Sequence, residues 1–214
     1  MKNLTVKLPK DKHINIAFSG GVDSLSLALL YRNFGYKVTL LHFHHGCEWS
    51  DGIADGCRVL SKQLGLPIVI GHNDCLPKKG QSIEDAWRRS RYRFLYEQCN
   101  DGDVLLTGHH LTDSTETWIF SSLHGEGKII DYDTHINYNG KCIRVVRPLL
   151  LNAKVNIETY VSKSDYEPVP DECNKDNGLM RNYIRNVMMP HVLTVNPGIE
   201  KVIRKKYLKL MGRI

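Results

Sequence analysis

A chain of 214 residues is long enough to bury the core of one α/β domain with a small appendage, and too short for a large multidomain scheme. Its 42% hydrophobic and 24% charged residues exclude the disordered and fibrous classes, and nowhere does it offer the roughly eighteen unbroken apolar residues of a membrane span. The net charge of +6 suits a polyanionic partner without identifying one.

The opening residues MKNLTVKLPKDK lack the apolar run of a signal peptide, which predicts a cytoplasmic protein with no membrane association. His13 to Phe18 then predicts a short strand, Ser19-Gly20-Gly21 a small-residue turn, and Val22 to about Phe34 an apolar helix stopped by Gly35. Lys37 to Phe43 and Pro67 to Ile70 read as strands around a helix over Ser50 to Leu64. A helix over Ser82 to Cys99, a strand over Val104 to Thr107 and a helix over Asp113 to Leu123 continue the alternation. Asn139-Gly140, between apolar runs, predicts a hairpin and an antiparallel edge. After Arg147-Pro148 come a helix near Lys154 to Ser162, a polar loop over Asp165 to Asn177, and a helical tail interrupted at Pro190 and Pro197. Such alternation implies a Rossmann-like, doubly wound, mainly parallel α/β sheet. Residues 1–150 would form the nucleotide-binding domain, and residues 151–214 a short C-terminal helical extension packed on it.

Ser19-Gly20-Gly21-Val22-Asp23-Ser24 sits where a strand meets a helix, so its backbone N–H groups and the helix dipole face any anion placed there. No lysine is present, which separates it from the usual nucleotide loop G-x-x-x-x-G-K-[ST]. Asp23 beside a phosphate is repulsive unless a cation intervenes, and Mg²⁺ is the expected one. The plainer alternative is a strand-to-helix turn with Asp23 as a capping group. The six cysteines, at 47, 57, 75, 99, 142 and 173, form no C-x-x-C pair, which argues for reduced thiols and against a zinc ribbon, an iron–sulfur cluster or a dithiol site.

The string S-G-G-V-D-S resembles the S-G-G-x-D-S signature of the PP-loop ATP pyrophosphatases. That resemblance implies an adenine-nucleotide α-hydrolase type of sheet, and cleavage of ATP between its α and β phosphates to give an adenylated substrate and pyrophosphate. Further strings narrow it: His42-Phe43-His44-His45-Gly46, Glu84 with Arg88, Arg91 and Tyr92, and Gly108-His109-His110 with Asp113, Glu116 and Thr117. Arg147-Pro148-Leu149-Leu150 follows, then Asp171, Asn174, Asp176, Arg181, Asn182 and Arg185. In this order they resemble the N-terminal catalytic region of the tRNA(Ile)-lysidine synthetases over residues 14 to 198. The family implies that ATP adenylates the C2 oxygen of a cytidine in the tRNA anticodon region and that free lysine displaces AMP. Thiolation of tRNA and a nonenzymatic nucleotide- or RNA-binding module are the rival readings.

Ser19, Gly20, Gly21, Val22, Asp23 and Ser24 are then expected to hold phosphate, with His44, His45 and His109 at neighbouring strand ends of one crevice. Without the resemblance, a histidine pair is more often a hydrogen-bonded structural element than a catalytic one. Asp23 and Asp113 are the Mg²⁺ candidates, and Arg88, Arg181 and Arg185 the groups that counter developing charge or position RNA. The chain departs from the family pattern at Thr112 and Ser114, where a carboxylate is lost, at His124-Gly125-Glu126-Gly127, and at Cys173. It ends at Ile214, with Lys201, Arg204, Lys205, Lys206, Lys209 and Arg213 on a final segment whose Val202, Ile203, Leu208 and Met211 should pack inward, so a small tRNA footprint is expected.

Overall fold

The computed structural model describes residues 8–73, 83–170 and 180–213, and of Glu84 only the backbone. Strands β1 (Ile14–Ala17), β2 (Val38–His44), β3 (Ile68–His72), β4 (Val104–Leu106), β5 (Asp133–Tyr138) and β6 (Lys141–Val146) form one sheet in the order β3-β2-β1-β4-β6-β5. Every neighbouring pair is parallel except β5 with β6. That pair is the expected hairpin, turned by Asn139 and Gly140 at φ of 47° and 79°, the double positive φ that matches strand twist.

Strand alternation sorts the core into two layers. Ile14, Ile16, Leu40, Val104 and Leu106 face one side, where they meet α1 (Val22–Asn33), α2 (Ser50–Leu64) and Ile157 and Val161 of α5 (Lys154–Val161). Leu41, Phe43, Leu105, Ile143 and Val145 face the other, against Phe94 and Leu95 of α3 (Ile83–Gln98). Every residue of α1 from Ser24 to Tyr31 is buried, as a helix with apolar residues all round requires. The chain reverses its winding between β1 and β4, so the loops after those strands flank the topological switch point, where open α/β sheets receive ligands.

The later segments differ in detail from expectation. A 3-10 turn over Pro148–Leu151 follows β6, and α4 (Leu111–Leu123) begins two residues early because His110 caps it. Pro190 does not interrupt the tail. Helix α6 (Met180–Tyr183) runs through a π segment, Ile184–Met188, into α7 (Met189–Val195), and Met189 N–H bonds to Ile184 O, five residues back. The wider turn accommodates a proline that can neither donate nor sit close to the preceding carbonyls. Helix α8 (Ile199–Leu210) buries Ile199, Ile203 and Tyr207, whose spacing of four makes one face, with Leu208 and Met211 partly covered. Val202, expected inside, lies off that face and is 42% exposed.

Candidate functional site

The turn after β1 is stapled by its own serines. Ser24 Oγ accepts from Ser19 N–H at 3.2 Å and donates to Gly21 O at 3.0 Å, while Gly21 N–H reaches Ser19 Oγ at 3.4 Å. Gly21 is the N-cap of α1 with no side-chain cap, so Asp23 is not the capping group the plainer alternative required. The N–H groups of the first helical residues, Val22, Asp23 and Ser24, are left without an intrahelical partner. Gly20 has φ of 78°, and a Cβ there would stand 2.7 Å from Val169 Cγ2 and 3.0 Å from Cys57 Sγ. Val169 N–H also bonds to Gly20 O at 3.1 Å, so the segment after α5 seals the turn from behind.

The loop after β4 closes on this turn. A Cβ on Gly108 would lie 3.1 Å from Asp23 Cβ and 3.4 Å from Ser24 N, so glycine permits the approach. His110 and Asp113 form a reciprocal cap on α4: Asp113 Oδ2 accepts from His110 N–H at 2.9 Å, and His110 Nδ1 accepts from Asp113 N–H at 3.4 Å. His110 Nε2 then stands between two carboxylates, 3.8 Å from Asp23 Oδ1 and 3.5 Å from Asp113 Oδ2. Asp113 Oδ1 takes one N–H from each of Arg181 and Arg185, both at 2.8 Å. Arg185 also grips Glu116 with two bonds of 2.8 and 3.0 Å, a forked pair with a carboxylate that is almost wholly buried.

Asp23, His110, Asp113, Arg181 and Arg185 are thus brought into one network. Burial opposes ionisation of Asp113, yet His110, Arg181 and His109 hold its carboxyl well below the usual carboxylate range. His109, bonded through Nδ1 to Thr107 Oγ1 at 2.9 Å, is held down to about 3 by burial, with Asp113 opposing and Arg181, Arg147 and Arg91 reinforcing. Arg91 lies below the ordinary arginine value because burial and the neighbouring Arg88 and Arg181 disfavour its charge, while Tyr92 supports it. Arg181, Arg147 and Arg91 thus share the surroundings of His109 with the Asp113 carboxylate.

The remaining candidates are scattered around this centre. Arg88 is exposed on α3 with its guanidinium 5.1 Å from the Tyr92 ring. His44 has both ring nitrogens engaged, by Asp51 at 2.9 Å and by Gly46 N–H at 3.2 Å, which gives it a loop-holding position. His45 lies edge-on to Phe43 and beside Trp87, and burial with Arg91 nearby holds it down to about 4. Its Nδ1 is buried and meets no hydrogen-bond partner among the described residues. The segment carrying Asp171, Cys173, Asn174 and Asp176, and the Glu84 side chain, lie outside the described residues.

The metal expectation fits Asp113 poorly, because both its oxygens are occupied by guanidinium and backbone donors. Among the described residues no group of three or more His, Cys, Asp or Glu side chains is arranged to hold an ion. Asp23 is bound by a residue that sequence reasoning missed: Lys154 Nζ lies 2.8 and 2.7 Å from its two carboxylate oxygens. Lysine at the start of a helix 131 positions away carries no local signal of this pairing. Thr112 and Ser114, read as losses, hold α8 in place: Thr112 Oγ1 donates to Glu200 at 2.6 Å, and Ser114 Oγ meets Tyr207 Oη at 2.5 Å.

Comparison with known proteins agrees with this geometry. Over 197 residues the chain is 33% identical to the tRNA(Ile)-lysidine synthase of Vibrio parahaemolyticus, covering 89% of this chain and 44% of that protein. It is 34% identical over 185 residues to the same-named protein of Pseudomonas aeruginosa, covering 83% and 41%. The chain therefore spans less than half the length of these relatives. In fold it is similar to the U34-tRNA thiolase NcsA from Methanococcus maripaludis, solved with its 4Fe-4S cluster, at a TM-score of 0.69 and 18% identity over 100% of this chain and 77% of that one. The family model described as PP-loop domain matches residues 1–192, a span that takes in the phosphate turn and all six strands, and the chain belongs to that family.

Proposed function

We propose that the chain binds ATP at the turn Ser19 to Ser24 and uses it to adenylate the C2 oxygen of a tRNA cytidine, which free lysine then attacks. The observation that carries the reading is the meeting of the β1 and β4 loops at the switch point, around an uncapped helix N-terminus and beside a surplus of cations. In the first step the cytidine oxygen bonds to the α-phosphorus and pyrophosphate leaves. In the second the lysine amine bonds to C2, AMP leaves with the oxygen, and the amine proton goes to solvent. Val22, Asp23 and Ser24 N–H groups would orient the polyphosphate, and Arg181, half exposed, spends one donor on Asp113 among the described residues and could turn others to phosphate or RNA. Arg88 would extend the same field outward. Mg²⁺, in this reading, arrives on the nucleotide phosphates and is not caged by protein, since it commonly binds through one or two carboxylates and substrate oxygens. Asp23, 28% exposed but with both oxygens on Lys154 Nζ, would reach such an ion only by giving up one of those contacts.

Residues 151–214 act in this reading as an extension of the nucleotide-binding domain, since Ile157 and Val161 share the core of β1 and α1. A cytoplasmic setting suits a tRNA partner and four free described cysteines. Thiolation is less well supported: burial pushes the Cys57 and Cys99 thiols up to about 12, which leaves them poor nucleophiles. The nonenzymatic reading loses its motive at Thr112 and Ser114, whose side chains fasten α8. Pyrophosphate release from ATP on addition of tRNA tests the proposal. An Asp23→Ala chain releasing pyrophosphate at the normal rate would remove Asp23 from it.

A further inference from the structure

We propose that Lys154 is the phosphate-binding cation of the PP-loop, delivered from α5 because the turn itself contains none. The inference rests on the nucleotide reading of the turn and adds to it a residue and a charge balance. Asp23 sits in the first turn of α1, where a polyphosphate would meet its negative charge. Lys154 Nζ spans both Asp23 oxygens at 2.8 and 2.7 Å, which makes the pair neutral before any ligand arrives. The N–H groups of the turn then present their partial positive charge without an opposing carboxylate.

Three features mark this lysine as more than a surface counter-ion. An ammonium has three donors, and among the described residues two are spent on Asp23, which leaves the third for a phosphate oxygen. Lys154 and Asp23 keep 33% and 28% of their side-chain surface, so the pair is reachable by a ligand. Lys154 is also the first residue of α5, where the helix dipole disfavours a cation, and the first turn of α5 has no acidic residue. Its place is fixed instead by the body of α5, where Ile157 and Val161 are fully or almost fully buried in the core beneath α1. Local helix energetics would not choose lysine there, but a phosphate turn without its own cation would.

Titrating the full chain calorimetrically with ATP in EDTA, beside Lys154→Ala and Lys154→Arg and the ligand-free melting temperature of each, tests this. Lys154→Ala should weaken ATP binding about tenfold or more, equivalent to about 1.4 kcal/mol. Its melting temperature should fall by no more than a few degrees, as expected for a partly exposed ion pair. Lys154→Arg, keeping the charge, should bind within about threefold of wild type. The inference is overturned if Lys154→Ala binds ATP within about twofold of wild type, or if both variants lose binding and melting temperature together. A wild-type chain that binds ATP neither in EDTA nor with Mg²⁺ present would instead overturn the nucleotide reading on which the inference stands, whereas binding only with Mg²⁺ present would overturn the inference.

Discussion

At the scale of single residues, the two arginines that looked equivalent in sequence separate by their partners. Arg181 and Arg185 lie four apart and share Asp113, but Arg185 alone adds a forked pair with buried Glu116. Removing Arg185 takes the forked cation from buried Glu116 and one of several donors from Asp113, so Arg185→Ala should lower unfolding free energy by about 3 kcal/mol in urea denaturation. Arg181 is half exposed, and Arg181→Ala should change stability by less than about 1 kcal/mol while weakening tRNA or nucleotide binding. If Arg181→Ala is the less stable of the two, or binds both ligands normally, these roles are misassigned. The histidines give a second prediction. His109 and His45 have folded values of about 3 and about 4, below the ordinary 6.5, so the folded chain binds fewer protons than the unfolded one in between. Stability should therefore fall as pH drops from 6.5 toward 4, and melting curves of His45→Gln and His109→Gln should show a shallower decline than wild type. A decline as steep in both variants would assign it to other groups. The phosphate turn was legible because its six residues are contiguous. Lys154 was not, since only the packing of α5 against α1 brings it to Asp23.

Elements were legible wherever periodicity and punctuation agreed. Helix α2 has the expected bounds, and the hairpin turns at Asn139-Gly140 as its φ values demand. The tail was harder to read because Pro190 signals a break that a π turn absorbs, and because Thr112 and Ser114 make sense only once α8 lies on α4. Helix α8 turns Lys201, Arg204, Lys205, Lys206 and Lys209 outward and Ile203 and Tyr207 inward. Its Glu200 meets Thr112, one residue from Asp113, so this cationic face starts beside the site and leads away from it. Reversing Lys205 and Lys209 to Glu should weaken tRNA binding, with a salt slope shallower by about one for each phosphate no longer neutralised, and leave ATP binding unchanged. An unaltered slope would mean that these lysines form a solvated face and nothing more.

For the whole molecule, the doubly wound sheet, its switch point and the family were all readable, because β1, the turn and α1 carry both the folding signal and the phosphate signal in one stretch. Substrate choice is not written so locally. In the proposed reading it would depend on how Arg88, Arg181, His109 and the outward face of α8 jointly meet a folded RNA. The chain spans less than half the length of its lysidine synthase relatives. The catalytic unit should act on an isolated anticodon stem-loop nearly as well as on whole tRNA. The most direct measurement is mass spectrometry of nucleosides from tRNA and from that stem-loop after incubation with the chain, ATP and lysine. A lysine adduct on one cytidine is expected in both RNAs, with AMP and pyrophosphate released in step. Unmodified cytidine in every RNA, or ADP and phosphate in place of AMP and pyrophosphate, would overturn the adenylation reading.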